Sequence, residues 1–136
     1  MPDYLLDTSF LIAYFNKVAD EAVGPARQFR STMPARARLF ASIAALAELV
    51  EGAEDAGAVE RELCRLTRLV GPHHQHAIRA GRMQRRARAS GSPMGENDAR
   101  IAATAAMAQL VVAGDDDKAF AKRPSVAYVN FHKAAN

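Results

Sequence analysis

Four acidic residues stand where an acid is costly: Asp7, Glu48, Asp98 and Asp116. Asp7 interrupts an apolar run, between Leu5-Leu6 and Phe10-Leu11-Ile12. Glu48 lies inside the Ala- and Leu-rich stretch Ile43 to Ala53, with Ala44 and Gly52 one turn to either side. Asp98 opens an Ala-rich stretch, and Asp116 follows Leu110-Val111-Val112-Ala113. Burying a carboxylate is unfavourable unless something pairs with it. Two unit charges about 4 Å apart repel by roughly 4 kcal/mol at an effective dielectric near 20. Acids gathered in one place must therefore take up protons or bind a cation. Carboxylate oxygens are hard ligands suited to Mg²⁺ or Mn²⁺. Such ions polarise phosphoryl oxygens and activate water, so the chemistry suggested is phosphodiester hydrolysis.

Taken singly, each acid also has a structural reading. Asp98 or its neighbour Asn97 could cap a helix. Asp115-Asp116-Asp117 could be a solvated turn, and Glu48 could face water as Glu51 and Glu54 do. Other chemistries find less support. His73, His74 and His76 are bunched without Cys partners, and read as a polar turn rather than a zinc site. The glycine-containing run Gly91 to Gly95 lacks the lysine of a phosphate-binding loop. Cys64 is the sole cysteine. It rules out an internal disulfide, fits a reducing cytosol, and reads as a small core residue.

The elements that would position the acids alternate in type. Tyr4 to Leu6 reads as a buried strand ending at Asp7, followed by a short helix from Ser9 to Lys17. A second helix is expected from Asp20-Glu21 to about Arg30, with Gly24-Pro25 as a point of restart. Arg38 to Ser42 reads as a strand, and Ser42 as the N-cap of the helix bearing Glu48. Ala58 to Leu69 and His76 to Ala89 read as helices, with a loop over Ser90 to Gly95. A helix from Asp98 to Leu110, a strand over Leu110 to Ala113 and a last strand over Val126 to Phe131 complete the chain. Strands alternating with helices predict an α/β fold with a mostly parallel sheet. Asp7 and Asp116 would then share the carboxyl edge of that sheet, where ligands bind.

The 136 residues suit one domain over 1–136, long enough for a full hydrophobic core. Hydrophobic and charged residues make up 49% and 24% of the chain, as in ordinary globular proteins. Asp3 and Asp7 break the pattern of a secretory signal, and no apolar run approaches a membrane span. The formal charge of +3 mildly favours an anionic partner. Arg79, Arg82, Arg85, Arg86 and Arg88 concentrate positive charge on one helix, which could meet RNA phosphates, an acidic protein segment or only solvent.

Four blocks together resemble a known family: Leu6-Asp7-Thr8-Ser9, Ser42 to Gly52, Asn97 to Ala105, and Val111 to Phe120. In this order and spacing they look like PIN-domain ribonucleases, and most like VapC-type toxins of bacterial toxin–antitoxin pairs. The resemblance implies a three-layer α/β/α fold and a Mg²⁺- or Mn²⁺-dependent endoribonuclease. It also implies a cytoplasmic homodimer and a cognate antitoxin that blocks the site. Asp7, Glu48, Asp98 and Asp116 match the family's acids, which hold the metal and carry catalysis; Asp115 is the alternative to Asp116. Gly114 departs from the pattern, where the family has a hydroxyl residue; Thr8 or a water would take that role. The same resemblance leaves two rivals: an RNA-processing nuclease without an antitoxin, and a non-catalytic module that kept the fold.

Overall fold

In the computed structural model, which describes residues 2–15 and 24–134, five parallel strands form one sheet. The strands are β1 (Tyr4–Leu6), β2 (Leu39–Ser42), β3 (Arg68–Val70), β4 (Val111–Gly114) and β5 (Ala127–Asn130). Their order is β3-β2-β1-β4-β5, so the chain starts in the centre and builds outward on both sides. Such a reversal leaves a crevice at the carboxyl ends of the central strands β1 and β4. The register pairs Leu5 with Val112 and Leu6 with Ala113.

Alternation along these strands divides the core in two. Leu5 and Val112 point to one face, where they pack with Ala99, Ala102, Ala103 and Phe120. Leu6 and Ala113 point to the other, among Phe10, Leu11, Phe29, Leu63 and Phe131. Phe10 holds the second cluster together: Phe131 meets it edge-on at 5.1 Å between ring centroids, and Phe29 at 6.2 Å. Because both faces are covered, the central strands read as continuous apolar runs.

The helices are α1 (Thr8–Phe15), α2 (Pro25–Thr32), α3 (Ile43–Glu51), α4 (Ala56–Leu66), α5 (His74–Ala89) and α6 (Glu96–Ala108). Two four-residue helices follow, α7 (Asp117–Phe120) and α8 (Phe131–Ala134). α5 and α6 pack together over the first face, and α1 to α4 with α8 cover the second. This is the expected three-layer α/β/α arrangement with a parallel sheet. Ser42 caps α3 as expected, its Oγ accepting from the Ala45 amide at 3.0 Å. α2 begins at Pro25, a residue whose fixed φ suits the first helical turn. The expected helix start at Asp20-Glu21 lies outside the described residues.

The structure corrects the sequence reading at four places. The helix expected over Ala58 to Leu69 ends at Leu66, and Arg68 to Val70 becomes the edge strand β3. Thr67 makes the break: it is extended, while its amide and Oγ1 both donate to the Leu63 carbonyl at 2.8 Å. Cys64 is exposed on α4, and its neighbour Leu63 is the core residue. His73, His74 and His76 start a helix rather than form a turn: the His73 amide donates to Nδ1 of His76 in a capping box. The segments Asp117–Phe120 and Phe131–Ala134 are helical, and the last strand stops at Asn130.

Candidate active site

Asp7 leaves β1 and enters α1 without an intervening loop. Its amide donates to the Ala113 carbonyl of β4 at 2.9 Å, and its carbonyl accepts from the Leu11 amide at 3.1 Å. These bonds fix its backbone at the carboxyl edge of the sheet and leave its side chain buried. Burial pushes the Asp7 carboxyl up to about 7; the Thr8 backbone N–H pulls it down, while Asp98, Glu48 and Asp115 raise it further. Asp98 is raised by burial first, then by Asp116 and Glu48. The predicted acids are thus brought within electrostatic reach of one another from β1, α3, α6 and the turn after β4.

The neighbours of these acids explain local residue choices. Asp98 is the third residue of α6, where the helix dipole favours a negative charge. Its carboxylate turns back over Gly95, the N-cap: a Cβ there would stand 2.9 Å from Oδ2. Glu48 is half-buried and accepts from Nδ2 of Asn97 at 3.0 Å, which ties α3 to α6 beside Asp98. Asn97, considered from sequence only as a cap, therefore orients Glu48; Gly95 is the N-cap and has no side chain to offer.

The Asp115-Asp116-Asp117 run splits into separate roles. Asp116 caps α7, its Oδ1 accepting from the Ala119 amide at 3.1 Å, and its second oxygen is not used in that bond. Asp115 lies 3.4 Å from Nε2 of His132. Asp117 turns away to Tyr128, Asn130 and Lys133, and these partners hold its carboxyl far below the usual range. It ties α7 to β5 and α8 and takes no part in the acidic cluster.

Gly114, the departure from the expected hydroxyl, is buried against Asp7. A Cβ at this position would lie 3.2 Å from both Cβ and Oδ2 of Asp7. The hydroxyls of Thr8 and Ser9, the next two residues of the chain after Asp7, are buried and unpaired among the described residues. A buried unpaired hydroxyl beside converging acids marks a place suited to a polar ligand. Among the described residues, no three His, Cys, Asp or Glu side chains are arranged as a ready-made metal site. The donor set is nonetheless all-oxygen, anionic and mutually repelling, which suits a hard divalent cation.

A profile of the PIN domain matches residues 4–125. The chain belongs to the PIN-domain family. Among solved structures, the DNA-bound VapBC of Salmonella typhimurium matches with a TM-score of 0.72 and 27% identity, over 96% of this chain and 99% of that one. FitAcB of Neisseria gonorrhoeae matches with a TM-score of 0.76 and 22% identity, over 94% and 97%. VapC20 of Mycobacterium tuberculosis, a toxin that cleaves the sarcin–ricin loop, matches with a TM-score of 0.66 and 21% identity, over 92% and 99%. The last two likenesses establish the PIN fold alone. No curated protein sequence matches the chain.

Proposed function

We propose that this PIN domain is a metal-dependent endoribonuclease, the VapC-type toxin of a type II toxin–antitoxin pair, acting as one unit over residues 1–136. The observation that carries the reading is the meeting of Asp7, Glu48, Asp98 and the Asp115–Asp116 turn at one edge of a PIN fold. The likeness to VapBC and FitAcB complexes supports a cognate antitoxin as the partner. The likeness to a toxin that cleaves the sarcin–ricin loop supports RNA as the substrate. A homodimer in the cytoplasm completes the reading. No helix among the described residues is long and apolar enough to cross a membrane.

Asp7, Glu48, Asp98 and Asp116 would hold Mg²⁺ or Mn²⁺, with Asp115 as the alternative fourth ligand. When bound, such an ion supplies Lewis-acid polarisation of a phosphoryl oxygen and a lowered pKa for water. The protein's own groups set the stage. Asp7, fixed by its backbone bonds to Ala113 and Leu11, offers a carboxylate that protonates readily when no cation is near. Asn97 keeps Glu48 turned toward Asp98. Thr8 and Ser9, which follow Asp7 in the chain, carry buried hydroxyls with no hydrogen-bond partner among the described residues.

Induced expression in a bacterium, with and without the neighbouring reading frame, tests the proposal when RNA 5′ ends are mapped. Growth arrest relieved by the neighbour, with new 5′ ends that vanish in Asp7→Asn and Asp98→Asn proteins, is the expected result. Purified variants that cleave RNA at the wild-type rate would overturn the site assignment. Activity untouched by EDTA would overturn the metal dependence.

A further inference from the structure

A groove of about 1060 Å³ runs between α5 and the turn that follows α7. Arg79, Arg82 and Arg86 form one wall. Their spacing of three and four residues places them on one helix face, along about 10 Å of α5. Lys118 and Lys122 belong to the opposite wall, and Met83 and Met94 give the groove apolar lining. Lys122 stands at φ 60°, a backbone conformation that non-glycine residues seldom adopt, just before a tight turn closed by the Val126 amide donating to the Arg123 carbonyl.

The charge of this groove is not balanced from within. Among the described residues, Arg79, Arg82, Arg86, Lys118 and Lys122 form no ion pair with a carboxylate. Asp117 is the sole acid on the lining, and Tyr128, Asn130 and Lys133 already engage it. Arg123 is spent on the protein itself, donating to the carbonyls of Ala119, Ser92 and Lys118. Two lining residues are close in the chain to acids of the site. Lys118 lies two residues beyond Asp116, and Met94 precedes Gly95, over which the Asp98 carboxylate turns.

We propose that this groove seats the phosphate backbone of a single-stranded RNA leading to the acidic site, an inference that rests on the ribonuclease reading. Five unpaired cations on two facing walls match a ligand with one negative charge per nucleotide. Guanidinium groups pair with phosphate through two parallel hydrogen bonds. The lining carries no aromatic side chain on which bases could stack, so the grip is on backbone rather than sequence. An acidic protein segment would answer the same charge, but lining residues so near in the chain to a phosphodiester-cleaving centre favour the substrate.

Binding of a 5′-fluorescein 12-nucleotide poly(U) RNA in EDTA, followed by anisotropy over a salt series, tests this without cleavage. Arg82→Gln/Arg86→Gln alters one wall and Lys118→Gln the other, and thermal melting verifies that both variants are folded. The double variant is expected to lose at least roughly tenfold in affinity and about 1.4 in salt slope, and the single variant about 0.7 in slope. Unchanged affinity and slope in either variant overturns the groove, as does wild-type protein that does not bind the RNA. A 12-residue polyglutamate that binds more tightly than RNA, with the same dependence on both walls, also overturns it and assigns the groove to an acidic protein. The ribonuclease reading fails separately, through wild-type protein that binds the RNA in EDTA but leaves it uncut when Mg²⁺ or Mn²⁺ is supplied.

Discussion

Gly114 and Asp7 face each other so closely that a methyl group on Gly114 would stand 3.2 Å from the carboxylate oxygen Oδ2 of Asp7. β1 and β4 are neighbours in register here, and the Asp7 amide is already bonded to Ala113. The backbone cannot easily open, so any side chain at 114 must displace the carboxylate. Gly114→Ala should therefore act on the site more than on the fold. The expected outcome is a five- to twentyfold loss of ribonuclease activity, with a stability cost of about 1 kcal/mol, as for a tight single-methyl insertion. Metal-titrated RNA cleavage and thermal melting measure the two. Gly114→Ser should fare no worse than Gly114→Ala, since its hydroxyl restores a polar group beside Asp7.

The raised carboxyl of Asp7 makes stability depend on pH. Folded protein holds the proton up to about pH 7, whereas the unfolded chain releases it near 3.8. Between these values the folded state binds more protons, so stability falls as pH rises. The full contribution is on the order of 4 kcal/mol, since each pKa unit corresponds to about 1.4 kcal/mol. Asp98 pushes in the same direction. In EDTA, the wild-type protein should melt at a higher temperature at pH 5 than at pH 8. Asp7→Asn should flatten that profile and exceed wild type at pH 8. A melting temperature that rises from pH 5 to pH 8 would contradict the electrostatic account of the crevice.

The layers of the fold were legible because they follow from local pattern. Leu5-Leu6 and Val111-Val112-Ala113 are continuous apolar runs, and Ser42 announces its helix. The missed strand β3 has three residues and only an edge position, and the spacing of Leu63, Leu66 and Val70 reads as helix until Thr67 intervenes. The acids were legible as misplaced charges, but their supports were not. Asn97 reaches Glu48 across 49 residues, and Gln84 reaches Met94 across a loop; no sequence period records such contacts. The same limit applies to the basic helix. Five arginines stand between 79 and 88, and only the fold sorts Arg79, Arg82 and Arg86 onto the groove.

Asn97 is expected to act through Glu48. Its amide is the hydrogen-bond donor to Oε1 of Glu48, and Nη1 of Arg100 donates to its carbonyl oxygen at 3.3 Å. Asn97→Ala removes this brace from a half-buried pair at a stability cost of about 1 kcal/mol. Free of Asn97, Glu48 can swing toward water and away from Asp98. Turnover should fall roughly three- to thirtyfold at saturating RNA, while RNA affinity measured in EDTA stays near wild type. A loss of affinity with unchanged turnover would place Asn97 in substrate binding instead.

Gln84 should set the position of Asp98 from a distance. Its side-chain amide clasps the backbone of buried Met94 from both sides: Nε2 donates to the Met94 carbonyl at 2.5 Å, and Oε1 accepts from its amide at 2.8 Å. Met94 leads directly into Gly95 and the first turn of α6, which carries Asp98. Gln84→Ala would leave two backbone groups of a buried residue unpaired, at a cost of about 1–3 kcal/mol for each such group. Gln84→Glu keeps the acceptor for the Met94 amide and loses the donor, so its effect should lie between wild type and alanine. The expected signature is faster hydrogen exchange at the Met94 amide in Gln84→Ala, together with reduced turnover and a lower melting temperature. Protection of that amide equal to wild type would show that the segment is held by other contacts. The Arg123 guanidinium, bonded to the Ser92 carbonyl at 2.6 Å, would then be the stronger clasp on the approach to Asp98.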